Sequence, residues 1–386
     1  MNSNSPIKVI IEAQHAVGHP QPRGVGHYSI NLIHALLRRR SFEYGLTFFD
    51  YSREAGNRQR AEKLFAQYSV PFYECNELDY RIASRSNDAW EKWSYNQYTK
   101  TNYDIYHFMN IVSLPLRITG KVLVTVLDLN WCVFPEGVSG YVRGLVETGL
   151  ERLNILQPEV IAISQSAKDE LLRFSSIPEE KINVILISYD EHNLYPDPGL
   201  SSEIVDGDYI FFVGTIESKK NVCAIADAFF LIADKCPALK LVIAGKVTWE
   251  DMSHFYQKID ESKFRDRVIM PGYITTEQKR RLYSNALCFV FPSICEGFGI
   301  PVLEAMACGC PVITADNTSL PEVGGEAAVY VHAHDTELLA FEMERIIASE
   351  GLRKEMTAKG FAQAKKFSWD KTAEQVEKIY RRVANT

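Results

Sequence analysis

Apolar runs of strand length recur along the chain, and most are followed by a stretch with helical spacing. In the first half Ile7–Ile11, Leu46–Phe49, Asp104–Phe108, Lys121–Leu127, Val160–Ile163 and Lys181–Ile187 read as strands. His27–Arg39 carries Ile30, Ile33, Leu36 and Leu37 on one side and reads as an amphipathic helix. Another helix is expected over Tyr141–Leu156, and Ser164-Gln165-Ser166 caps the next. The second half repeats the rhythm. Strands are expected at Tyr209–Val213, Leu239–Ala244, Leu287–Phe291 and Pro311–Thr314, and Val268 to Tyr273 reads as a strand running into a loop. A helix carries Ile225, Ala228, Phe229 and Ile232, and others cover Glu337–Ala348, Leu352–Phe367 and Ser368–Val383. Residues 52–100 are polar and helical in tone, and Trp90, Trp93, Tyr95 and Tyr98 within them predict a helix bearing an aromatic cluster. Core packing is its ordinary role, and an acceptor-binding wall is the alternative.

Strands alternating with helices in both halves imply two doubly wound α/β domains. The stretch His192–Asp206 is polar and holds two prolines and a glycine, which marks the connection between them. The expected division is residues 1–195 for an N-terminal Rossmann-like domain and 196–207 for the linker. A C-terminal Rossmann-like domain follows over 208–368, and a last helix over 369–386. The length of 386 residues suffices for two cores.

Composition narrows the function. A hydrophobic share of 46%, a charged share of 24% and a net charge of −7 fit a globular protein, and the acidic balance gives no support to nucleic-acid binding. No apolar run approaches membrane-spanning length, and the N-terminus lacks a secretory pattern. The 8 cysteines form no C-x2-C pair, which favours free thiols in a reducing, cytoplasmic setting.

Two stretches carry candidate chemistry. From Leu287 to Glu326 a strand leads into the loop Glu296-Gly297-Phe298-Gly299, then into a helix with Pro301 in its first turn and Gly309 at its end. Backbone N–H groups of such a loop approach a ligand closely, and the helix N-terminus favours an anion. The second stretch is Gly214-Thr215-Ile216-Glu217-Ser218-Lys219-Lys220-Asn221, directly after a strand. Its lysines suit phosphate. Near the N-terminus, Gln21-Pro22-Arg23-Gly24-Val25-Gly26 reads as a flexible loop between strand and helix, without the spacing of a dinucleotide fingerprint.

Glu296 and Glu304, with Gly297-Phe298-Gly299-Ile300-Pro301-Val302-Leu303 between them, resemble the E-x7-E motif of retaining glycosyltransferase family 4. The similarity is strong from Tyr209 to Val383 and looser before. It implies the GT-B fold, in which two Rossmann-like domains face each other across a cleft and the last helix returns to the N-terminal domain. By this resemblance Glu296 holds hydroxyls of the transferred sugar and Glu304 the ribose. Gly297, Phe298, Gly299 and Ile300 line the donor, and Lys219 and Lys220 meet its phosphates. The loop at Tyr273 contacts the base, and Gly24 and Gly26 reach the diphosphate. Glu296, Lys220 and Asp128 are the implied catalytic residues.

Two departures stand out. Leu127-Asp128 replaces the family's His-Asp pair, and Thr215 stands where many members carry Arg. Leu127 raises the expectation of a 6-deoxyhexose donor, with an ordinary hexose as the alternative. The resemblance implies metal-independent, retaining transfer of a hexose or deoxyhexose from a GDP-, UDP- or dTDP-sugar, which is a co-substrate rather than a cofactor. The acceptor is a saccharide or lipid-linked saccharide, as in surface polysaccharide assembly such as lipopolysaccharide O-antigen. Such work is compatible with peripheral contact at the inner face of the membrane, and oligomeric state stays open. Two other readings keep the fold: a hydrolysing sugar-nucleotide epimerase, and a non-catalytic sugar-nucleotide-binding partner subunit.

Overall fold

The computed structural model describes residues 6–20, 24–49, 56–75, 83–90, 93–99, 102–135, 139–199, 203–247 and 252–386. The chain divides into two compact units. One comprises residues 1–132, 140–187 and 369–386, the other 133–139 and 188–368.

The first unit is built on a parallel sheet of β1 (Lys8–Glu12), β2 (Glu43–Phe49), β3 (Phe72–Cys75), β4 (Ile105–Phe108), β5 (Lys121–Val126), β6 (Glu159–Ala162) and β7 (Ile182–Val184). Their order is β3-β2-β1-β4-β5-β6-β7. The central strands are buried on both faces, which is why they read as unbroken apolar runs. The helix predicted at His27 begins at Gly24, so Gly24 and Gly26 lie in its first turn rather than in a flexible loop. Gln21–Arg23 lie outside the described residues. Ser29 Oγ donates to the Val25 carbonyl at 2.9 Å within this added turn, and Gly26 is buried there with Tyr28 and Ser29.

The aromatic cluster is not one helix. Asp88–Trp90 and Tyr95–Tyr98 are separate 3-10 turns, and Trp90, Tyr95 and Tyr98 enter the core. Trp90 Nε1 donates to the Ala83 carbonyl at 2.9 Å, and the Tyr95 ring meets Phe108 edge-on at 4.9 Å. Core packing accounts for these three side chains. Three-residue β7 is shorter than the expected Lys181–Ile187: a 3-10 turn over Glu179–Lys181 takes its first residue, and the strand ends at Val184.

The helix Trp369–Ala384 belongs to this unit. Tyr380 Oη lies 2.6 Å from His107 Nδ1, and Thr372 Oγ1 donates to the Leu186 carbonyl at 2.8 Å. Arg39 reaches Glu377, which is fully buried, at 3.2 Å. Lys121 Nζ donates to the Val383 carbonyl at 2.7 Å, a cation placed at the negative end of the helix.

In the second unit the strands are β8 (Tyr209–Val213), β9 (Lys240–Ala244), β10 (Val268–Gly272), β11 (Cys288–Phe291), β12 (Val312–Ala315) and β13 (Ala328–Val331). They pair in parallel in the order β10-β9-β8-β11-β12-β13. The connections from β8 run outward to β9 and β10, then return to β11 on the other side. The strand order therefore reverses between β8 and β11. In open α/β sheets ligands bind beyond the carboxyl ends of the strands at such a reversal. One backbone approach at this edge requires glycine. Gly245, directly after β9, has φ +142°, and a Cβ there would lie 1.8 Å from the Gly214 carbonyl oxygen that follows β8.

Candidate functional site

Both halves of the reversal in the second unit carry charged residues. After β8 the chain makes a 3-10 turn, Ser218–Lys220. Asn221 leaves it with φ 58° and opens the next helix. Its amide donates to the carbonyls of Pro292 (3.1 Å) and Ala333 (2.6 Å), tying the lysine turn to the end of β11. Ile294 N adds a bond to the Lys219 carbonyl at 2.9 Å.

This stitching sets Lys220 Nζ 2.5 Å from Glu296 Oε1, with Ser293 Oγ donating to the same oxygen at 2.6 Å. The Lys220 ammonium also lies 5.3 Å from the centroid of the Phe291 ring. Glu296 is buried, which by itself raises its pKa, yet the charges of Lys220 and Lys219 and the hydrogen bonds from Lys220 and Ser293 outweigh the burial. Its pKa is held below the ordinary carboxylate value, so at neutral pH Glu296 is an anion and not a proton donor.

The loop that follows is held from β12's side. Glu296 N donates to Thr318 Oγ1 at 3.1 Å, and Ser319 Oγ lies 2.9 Å and 2.8 Å from the carbonyls of Glu296 and Phe298. The Phe298 ring is buried edge-on against Phe367, with centroids 6.0 Å apart, so its side chain anchors the loop. Gly299 has φ 111°, where a side chain would be strained, and a Cβ would meet Leu320 at 2.8 Å. The helix Ile300–Ala307 starts immediately after, with Pro301 in its first turn.

Glu304, one turn into that helix, is also buried, but its partners are different. Lys279 Nζ donates to Oε1 at 2.6 Å and Tyr283 Oη to Oε2 at 3.1 Å. Both come from the helix Thr276–Asn285 and lie one turn apart on one face. The Tyr283 phenol is pushed well above its ordinary pKa, first by burial and then by the Glu304 charge, so it stays protonated as a donor. Tyr273, just after β10, is 69% exposed.

Of the residues singled out in the sequence, the structure brings Lys219, Lys220, Glu296, Gly297, Phe298, Gly299, Ile300 and Glu304 to the reversal in one unit. Gly24, Gly26 and Asp128 belong to the other unit. Asp128 Oδ1 accepts from Asn130 N at 3.2 Å at the start of the short helix Asn130–Val133. Lys279, Tyr283, Ser293, Thr318 and Ser319 were missed. The first two were within reach: Thr275-Thr276-Glu277-Gln278 forms a capping box, with Thr275 and Gln278 bonded reciprocally at 3.2 Å and 2.9 Å. The hydroxyls of Ser293, Thr318 and Ser319 carry no local pattern in the sequence.

The first unit holds a further buried acid, Glu12, just past the expected strand Ile7–Ile11. Glu12 ends β1 beside β4, where that sheet reverses. Its Oε1 accepts from Gln14 N at 2.7 Å, and Oε2 has no hydrogen-bond partner. Burial raises its pKa from 4.5 to about 7, against the pull of the Gln14 N–H and Ser113. The folded chain thus keeps a proton that the unfolded chain releases between pH 4.5 and about 7. The stability associated with this proton is complete below pH 4.5 and is lost as pH rises through 7. The expected loss is about 3 kcal/mol. Glu12→Gln should flatten this slope, measured as urea midpoints at pH 5.5 and pH 8.5, and should be the more stable form at the higher pH. An unchanged difference between the two midpoints would show that another group carries the dependence.

Residues 201–363 match the family model for Glycosyl transferases group 1. That match lies within the second unit; the two parallel sheets with their surrounding helices form the two-domain Rossmann-like α/β architecture of GT-B structures. It is similar to O-antigen chain mannosyltransferase B of Escherichia coli, with 27% identity over 374 residues, 93% of this chain and 96% of that protein. Among solved structures, sucrose-phosphate synthase from Thermosynechococcus elongatus superposes with a TM-score of 0.73 at 18% identity, covering 98% of this chain and 99% of that one. HepE from Anabaena, in complex with UDP-glucose, gives 0.72 at 15% identity, with 97% and 100% covered. Among the described residues no helix is long and apolar enough to cross a membrane.

Proposed function

We propose that the chain transfers a mannosyl or related hexosyl unit, with retention and without a metal, from a nucleotide diphosphate sugar to a saccharide or lipid-linked saccharide in surface polysaccharide assembly. The observation that carries this reading is the Lys220–Glu296 pair at the strand-order reversal, with Lys219 beside it. Departure of a nucleoside diphosphate puts negative charge on the leaving oxygen, and a positioned ammonium stabilises that charge as it develops. Lys220 supplies it, and Lys219 adds to the local positive field. Glu296 is anionic and buried. It accepts hydrogen bonds from sugar hydroxyls and offsets positive charge developing on the ring. Glu304, likewise held by a lysine, receives the ribose hydroxyls. The E-x7-E motif and the full-length similarity to a mannosyltransferase support both the family 4 mechanism and a hydroxylated hexose over the 6-deoxyhexose that Leu127 suggested.

The test is a donor screen on the purified chain, scoring release of nucleoside diphosphate from GDP-mannose, UDP-glucose and dTDP-rhamnose with and without mannose-terminated oligosaccharide. Acceptor-dependent release is expected. Release of equal size without acceptor would favour a hydrolase or epimerase, and none at all a non-catalytic subunit.

Activity should persist in excess EDTA. Among the described residues no cluster of three His, Cys, Asp or Glu side chains could hold an ion, and lysines meet the phosphates instead. Loss of turnover in EDTA, restored by Mg2+ or Mn2+, would assign the phosphate charge to a metal.

A further inference from the structure

Glu304 is fastened from one side only. A carboxylate offers about four lone-pair positions over its two oxygens. Lys279 Nζ takes one on Oε1 and Tyr283 Oη takes one on Oε2. One position remains on each oxygen, and the two lie at the spacing of the carboxylate itself. Two neighbouring hydroxyls of a sugar ring fit such a pair.

The partners also fix the side chain in place. The side chain of Glu304 is 10% exposed and that of Lys279 23% exposed, so the pair is largely withdrawn from water. The lysine compensates the buried charge, and the tyrosine, itself buried, contributes a fixed donor. Tyr283 Oη lies 3.3 Å from the Pro301 carbonyl as well, which links the phenol to the opening turn of the Glu304 helix. Lys279 and Tyr283 therefore hold the carboxylate in one orientation before any ligand arrives. A preorganised acceptor avoids the ordering cost that a free glutamate side chain would incur on binding.

We infer that Lys279 and Tyr283 are positioning residues that make Glu304 a clamp for a vicinal diol, and that they set a preference for ribonucleotides over deoxynucleotides. This rests on the nucleotide-sugar reading of the site. The diol could come from the ribose or from the transferred sugar, and the two sources separate experimentally. The ribose is favoured because Glu304 sits a helical turn beyond the loop that carries Glu296 and is held by Lys279 rather than by the Lys220 that pairs with Glu296.

The experiment is calorimetric titration of the full chain with GDP and UDP, with their 2′,3′-dideoxy forms, and with the corresponding nucleotide sugars. It is run on the parent, Lys279→Met, Lys279→Arg and Tyr283→Phe. Tyr283→Phe removes only the hydroxyl and guards against a folding defect in Lys279→Met. The parent should bind the ribonucleotide more tightly than the dideoxynucleotide. Lys279→Met should lose about tenfold in ribonucleotide affinity, the scale of one charge-assisted hydrogen bond. Tyr283→Phe should lose less. Neither should lose affinity for the dideoxy form, and Lys279→Arg should restore part of the loss. In turnover assays the change should appear in donor KM, with kcat little altered.

If the loss appears only with the nucleotide sugar and not with the free nucleotide, the clamp stands and the diol belongs to the sugar. Equal losses on the ribo and dideoxy forms would overturn the inference, since Lys279 would then act on phosphate, base or fold. Unchanged affinity in both variants would overturn it as well. A parent that binds none of these nucleotides would fail the nucleotide-sugar reading first, and the clamp with it.

Discussion

Lys220→Ala should lower kcat for sugar transfer by about 10²–10³-fold, the scale seen when one preorganised donor to a developing oxyanion is removed. The Lys220 side chain is 15% exposed, its ammonium lies 5.3 Å from the centre of the Phe291 ring, and the turn that carries it is tied by Asn221 to the end of β11. Few of its degrees of freedom remain to be lost when the diphosphate arrives. Two effects separate in this variant. The chemical step slows because the leaving group loses its stabilising charge. The fold also loosens, because Glu296 keeps a buried carboxylate with only Ser293 and the Lys219 charge to compensate it. Lys220→Met retains more of the apolar packing and should show the same loss in kcat with a smaller drop in melting temperature. Turnover within about twofold of the parent would reduce Lys220 to a structural partner of Glu296.

Glu296→Gln should lower turnover by about 10–100-fold, as expected when charge-assisted hydrogen bonds become neutral ones. The amide keeps the shape of the side chain and its contact with Ser293, so the loop should stay in place. What disappears is the charge that pairs Lys220 and offsets a cationic sugar ring. Because Lys220 and Glu296 touch, the two substitutions should not be additive. The double variant Lys220→Met/Glu296→Gln should lose less than the product of the single losses. Donor affinity and kcat measured separately show where the effect falls, and a loss confined to KM would mean that Glu296 binds donor and transition state equally.

Much of the architecture is legible in the sequence because the sheets are parallel and buried. Strands such as Tyr209–Val213 and Ile105–Phe108 must be apolar on both faces, so they stand out as runs. The edge strands Phe72–Cys75 and Ala328–Val331 are four residues each and only partly buried, and Glu74 interrupts the first, so they stand out less. Helices Ser253–Glu261 and Thr276–Asn285 are short and polar, with two buried residues each, and leave little periodic signal. The site divides in the same way. Glu296, Glu304 and the lysine pair sit in a motif with recognisable spacing. The groups that set their charge and orientation, Ser293, Lys279 and Tyr283, come from other segments and converge only in the fold. Glu12 was hidden because an acid ending an apolar strand looks like the first residue of a loop, whereas its side chain is 2% exposed.

The most direct test of glycosyl transfer at this site is the anomeric configuration of the product. The purified chain, supplied with the nucleotide sugar it accepts and a saccharide acceptor, should form a glycoside whose configuration, read by NMR, equals that of the donor. A product of inverted configuration, or free sugar with no glycoside, would contradict the assignment of Lys220, Glu296 and Glu304 to retaining transfer.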